Sequence, residues 1–85
     1  MTALSRIAPG DWITIGEKDS REAVVCTIRP GIIEAVYLDE HNKAVHRDVV
    51  WSGSYWNFAQ KETQPKNADK DPRLQPYVKI LRSRK

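Results

Sequence analysis

Apolar and β-branched residues alternate with polar ones through much of the first two thirds of the chain. Period-two patterning marks strands with one face buried. Residues 11–16 (D-W-I-T-I-G), 22–29 (E-A-V-V-C-T-I-R), 32–38 (I-I-E-A-V-Y-L), 43–51 (K-A-V-H-R-D-V-V-W) and 54–58 (S-Y-W-N-F) predict five short strands. Turn residues separate the last four: Pro30-Gly31, the polar run D-E-H-N at 39–42, and Ser52-Gly53. Such pairs between β-rich runs signal tight turns, so the pattern predicts three successive hairpins.

The pattern breaks after residue 58. Residues 60–73 hold no apolar residue except Ala68, a polar connection well beyond the usual 2–6 residues. Apolar character returns with Leu74 and Y-V-K-I-L at 77–81. Tyr77, Val78 and Leu81 would share one face of a helix. Pro76 and the β-branched Val78 and Ile80 favour a short strand after a turn, which is the reading adopted.

Two-residue turns fix which side chains share a face. Around Pro30-Gly31, Ile28 faces Ile33, Cys26 faces Ala35 and Val24 faces Tyr37, giving an apolar face that is the expected core; a one-residue bulge would exchange it with its opposite. Around Ser52-Gly53, Val49 faces Trp56 and Arg47 faces Phe58. Val45, Val49, Trp51, Trp56 and Phe58 then lie on the core side, with Trp51 at its margin. Ile13 and Ile15 point inward from the first strand, which leaves Trp12 and Tyr55 as the outward aromatics.

Five short strands in 85 residues cannot stay open without exposing edges and an apolar face. Closure into a small bent barrel resolves both. The strand order, the first strand G-D-W-I-T-I and the V-Y-L-D-E…A-V…D-V-V-W run at 36–51 resemble the SH3-like barrel shared by Tudor and KOW modules. The expected fold is thus an all-β, five-stranded antiparallel barrel in one domain, 1–85. Its core is residues 9–58 plus 77–82, with a polar loop at 59–76 and a basic end at 82–85.

Charge is unevenly spread. Residues 1–42 carry four basic and seven acidic side chains, a net −3, whereas 43–85 carry ten and four, a net +6. A basic half points to a polyanionic partner, against the plainer reading of a solvated terminus. The expected function is a binding module associated with nucleic acid (RNA or DNA) or nucleoprotein. Trp12 and Tyr55 are its candidate stacking groups, Trp51 a marginal one, and Arg29, Arg47, Lys79, Arg82, Arg84 and Lys85 its candidate phosphate contacts. The alternative is a protein-interaction adaptor that binds a peptide or self-associates through a barrel edge. A third reading follows from the Tudor resemblance, which implies an aromatic cage for methylated lysine or arginine; here Tyr37 beside Asp39 and Glu40 is the candidate.

No enzyme motif emerges. His41 and His46 flank a turn without a third converging ligand, so no metal is expected. Cys26, the single cysteine, sits in an apolar run and fits a reducing compartment. The four glycines are dispersed as turn punctuation, not gathered in a phosphate loop. Neither cofactor nor membrane span is expected, and the cytoplasm is the default location.

Overall fold

The structure, a computed structural model, describes residues 7–16, 18, 20–59 and 65–83. Strands β1 (Trp12–Ile15), β2 (Arg21–Arg29), β3 (Ile32–Leu38), β4 (Ala44–Trp51) and β5 (Trp56–Phe58) follow the expected positions closely. They close into a ring: β3, β2, β1, β5 and β4 neighbour one another in that order, and β3 also pairs with β4. The result is a small barrel compatible with an SH3-like fold. It is mixed rather than wholly antiparallel, because β1 meets β5 in parallel through Ile15 and Trp56. That junction seals the barrel with strands already in hand, so no terminal strand is needed.

The segment expected to supply a last strand is instead a helix, α1 (Gln75–Ser83). The 59–76 stretch is not one loop either. A two-residue strand, β6 (Lys66–Asn67), adds to the free side of β4, and a 3₁₀ turn at Pro72–Leu74 leads into α1. The remainder of that stretch, 60–64, lies outside the described residues. Asp71 starts the turn, its carboxylate accepting from the Arg73 amide at 2.9 Å. Pro72 and Pro76 both fall at first-turn positions, where a missing N–H costs nothing and the fixed φ suits the helix. Leu74, Val78 and Leu81 recur at helical spacing and are all buried.

Two apolar clusters result. Inside the barrel, Ile13, Ile15, Ala23, Val25, Ile33, Ala35, Tyr37, Val45, Val49 and Trp56 pack together. On its outer side, Val24, Cys26, Val36 and Ala44 are covered by Ala68, Leu74, Val78 and Leu81. This second cluster corrects the expected face of the β2–β3 hairpin. The pairing runs as read from the turn through Arg29↔Ile32 and Ile28↔Ile33, then slips between Val25 and Thr27. Cys26 is the extra, bulged residue, and beyond it Val25 opposes Ala35 and Ala23 opposes Tyr37. Ala23 and Val25 therefore line the interior, while Val24 and Cys26 point to the helix. Gly31, with φ +77°, supplies the left-handed third position of the Pro-Gly turn.

The β4–β5 connection is longer than a two-residue turn. Trp51 pairs with Trp56, Val50 with Asn57 and Val49 with Phe58, so residues 52–55 form the loop. Ser52 Oγ donates to the Tyr55 carbonyl at 2.8 Å to close it. A shift of two preserves the face, and Trp56 is buried as expected.

Candidate functional site

The bulge at Cys26 and the start of α1 bring a charged cluster together on the outside of the barrel. Glu34, on the outward face of β3, accepts from His46 Nδ1 at 2.6 Å, and only 12% of each side chain is exposed. Arg73 reaches across from the 3₁₀ turn and donates to both Glu34 oxygens, at 3.2 and 3.3 Å. Thr27, opposite Glu34 on β2, adds a further hydrogen bond. Burial pushes the Glu34 carboxyl up, but Arg73, His46 and Thr27 together hold it below the ordinary glutamate value. Cys26, beneath the same arm, is pushed up to about 12 by burial and then by the charge of Glu34. This cluster is a fastener: it fixes the segment 65–83 to the sheet, and its thiol is inert.

A second assembly involves rings. Tyr37 and Phe58 meet at 5.6 Å between centroids; the Arg21 guanidinium lies 5.2 Å from the Tyr37 centroid, and that of Arg47 lies 3.9 Å from Phe58. The order is cation, ring, ring, cation. The chain's own arginines thus occupy the attractive ring faces that a methylated side chain would seek. Tyr37 is itself only 3% exposed.

The expected site residues do not converge. Trp12 is half-buried and packs against the outer cluster under α1. Trp51 is half-buried against the interior cluster and stacks edge-on with Trp56 at 5.3 Å. Tyr55 lies in the 52–55 loop, also half-buried. Arg29 bridges Asp48 at 3.0 Å. Arg82 donates to both oxygens of Asp69 at 3.1 Å and to the Asn42 carbonyl at 3.4 Å. Lys79 is exposed on α1, and Arg84 and Lys85 lie outside the described residues.

Those contacts sort the cations by type. Arg21, Arg29, Arg47, Arg73 and Arg82 are each held by a ring or a carboxylate of the chain itself. Lys43, Lys66, Lys70 and Lys79 are exposed and make no salt bridge among the described residues. Register brings Lys43, Lys66 and Lys70 to the start of β4, and Lys18 lies apart from them between β1 and β2. Lys66 pairs with His46 and Asn67 with Val45 across β6 and β4, and the Ala68 amide donates to the Ala44 carbonyl at 2.9 Å. This ladder sets Lys43 alongside the turn that holds Asp69 and Lys70. Asp69 accepts from the Ala44 amide at 3.1 Å as well as from Arg82, which closes the last turn of α1 onto the same place. Lys79 is one helical turn before Arg82. Burial raises the Asp69 carboxyl, and the Ala44 amide and Arg82 more than reverse this.

Sequence reasoning missed Lys43, Lys66 and Lys70. They are scattered in sequence, and only the unrecognised β6 and α1 unite them. The available signal was D-P-R-L-Q-P at 71–76, an N-cap followed by proline, ahead of Leu74, Val78 and Leu81 at helical spacing. No group of three or more His, Cys, Asp or Glu side chains among the described residues is placed to hold a metal ion. No described helix is long and apolar enough to cross a membrane. No protein-family model, curated protein or solved structure matches the chain.

Proposed function

We propose that the protein is a binding module for a nucleic acid, gripping its phosphates through the lysine belt of Lys43, Lys66, Lys70 and Lys79. The observation that carries this reading is the sorting of cations: the described arginines are each held by a ring or a carboxylate of the chain, while Lys43, Lys66, Lys70 and Lys79 are exposed and make no salt bridge among the described residues. Lysine is a compact, strongly hydrated charge suited to phosphate contact without fixed geometry. Of the acids beside these lysines, Asp69 is held by Arg82 and the Ala44 amide, and Asp39 accepts from the backbone amides of His41 and Lys43.

The test is fluorescence anisotropy of labelled RNA and DNA, single- and double-stranded, at about 50 mM salt, where phosphate contacts are strongest. Binding that falls steeply with salt is the expected result. Absence of binding to every form at that salt refutes the proposal.

A second reading, a protein-interaction adaptor, has its own observation. Ile28, at the tip of the β2–β3 hairpin, is 39% exposed, the one exposed large apolar side chain among the described residues. It projects beside Pro30-Gly31, away from the belt in sequence and register. Ile28→Ser would abolish capture of a protein partner under that reading and leave nucleic-acid binding unchanged under the first.

A further inference from the structure

We infer that the belt recognises the backbone of a double-stranded nucleic acid, without reading bases and in preference to a single strand. The inference rests on the nucleic-acid reading above and deepens it.

Two modes of nucleic-acid binding make different demands on a surface. Proteins that hold single strands combine a basic groove with exposed rings on which successive bases stack, each worth about 1–3 kcal/mol. Duplexes keep their bases stacked internally and offer phosphates on a fixed surface, so dispersed cations on a convex body suffice.

Six of the seven Trp, Tyr and Phe rings are packed on one or other core cluster. Trp56 and Tyr37 are 4% and 3% exposed. Trp12 and Tyr77 pack on the outer cluster, and Trp51 and Phe58 pack on the inner one. Phe58 also carries Arg47 on its face. Tyr55, half-buried in the 52–55 loop, sits at the end of β4 remote from Lys43. No exposed Trp, Tyr or Phe ring stands among the lysines to receive a base.

The spacing of the cations suits the alternative. Lys66 stands opposite His46, three residues along β4 from Lys43, about 10 Å at the rise of a strand. That length is comparable to the roughly 12 Å opening of a major groove, whose two edges are lines of phosphate. Lys79 lies on α1, one helical turn before Arg82. Arginine in bidentate contact with guanine is the commonest means of direct base readout. Arg82 lies beside the turn of Asp69, and both terminal nitrogens of its guanidinium are spent on Asp69 and Asn42.

Membranes offer the same anionic chemistry, but an interfacial site places large apolar residues among its lysines. The exposed large apolar side chain described here is Ile28, at the opposite feature of the fold.

The experiment compares short duplexes of unrelated sequence, the matching single strands, and vesicles of anionic phospholipid, with anisotropy and tryptophan emission read together. The duplexes are expected to bind equally well, at least tenfold tighter than the single strands, with no quenching of tryptophan. Four phosphate contacts give a slope of about −3.6 in log K against log salt, roughly a 150-fold loss between about 50 and 200 mM. Lys66→Ala with Lys70→Ala is expected to cut that slope by about 1.8. Tighter binding of single strands with quenched tryptophan overturns this inference while leaving the nucleic-acid reading standing. Binding to vesicles without binding to any nucleic acid overturns both. The wild-type comparison of duplex with single strand decides the matter even if the double variant folds poorly.

Discussion

Removing the charge of Glu34 while keeping its shape, as Glu34→Gln, isolates the fastener between barrel and arm. In the wild type the carboxylate accepts from His46 at 2.6 Å and from both terminal nitrogens of Arg73, with 12% of its side chain exposed. A hydrogen bond to a charged group at a mostly buried site contributes about 1.5–3 kcal/mol. The amide retains one acceptor but presents an N–H where Arg73 or His46 also donates, so one contact is lost. A loss of about 1.5–3 kcal/mol lowers the melting temperature by about 6–24 °C for a domain of this size. The pH dependence is as informative. The Glu34 carboxyl titrates below its ordinary value in the folded protein. Its contribution is therefore fully present above the unfolded value near 4.5 and disappears as pH falls through the depressed folded value. Asp39 and Asp69 are depressed as well and lose stability in the same acid window. The difference between wild type and Glu34→Gln cancels their shares. That difference is expected to shrink as pH falls below about 4.5, where the wild-type carboxylate begins to lose its advantage over the amide.

Cys26 reports the same event locally. It is buried under Leu74, Val78 and Leu81, and its thiol is pushed up to about 12, so iodoacetamide reacts only when the arm opens. A loss of 1.5–3 kcal/mol raises the open population, and with it the alkylation rate, by roughly ten- to a hundredfold. Equal urea midpoints for the two proteins at pH 7, together with equal alkylation rates, would refute the fastener.

Two further substitutions probe the arm and the belt separately. Leu81→Ala empties a buried site between α1 and the sheet; thermal melts are expected to show a loss of about 2–5 kcal/mol, with faster Cys26 alkylation. Asp69→Asn removes the carboxylate that holds Arg82. Anisotropy titrations are expected to show tighter duplex binding and a salt slope steeper by about 1, as Arg82 becomes a fifth phosphate contact.

The strands were legible because alternation and turn residues agree. Five of the six expected strands are present to within two residues at either end, and the sixth, at 77–81, is part of α1. Their faces were less so. The run A-V-V-C at 23–26 is buried at every position because the interior lies on one side and α1 on the other. Continuous burial of that kind leaves no alternation to reveal the bulge at Cys26. The helix was misread for a related reason. Taken alone, 77–81 is short and β-branched; its helical character depends on Leu74 three residues earlier and on a capped start at Asp71. Trp12 looked outward by parity, correctly with respect to the barrel interior, but the missing helix is what it packs against. The candidate site failed in the same way. Pairings between residues 39 apart, such as Glu34 with Arg73, follow from docking of the arm and are invisible to local pattern.

Assembly of the belt and docking of the arm are one equilibrium. Lys66 and Lys70 come from the segment that Asp69 ties to Ala44, Lys79 comes from α1, and Lys43 belongs to the barrel. Undocking would separate three of the four lysines from the fourth and release Arg82 from Asn42. A ligand that needs all four must therefore bind the docked form and stabilise it. At a hundred times its Kd, such a ligand adds about 2.7 kcal/mol to docking. Cys26, on the far side of the arm from the lysines, would then react about a hundredfold more slowly with duplex present. Protection of a thiol that touches no ligand distinguishes a belt built by the fold from independent lysines on a flexible tail. Lysines on such a tail would bind the same phosphates and leave Cys26 as reactive as before.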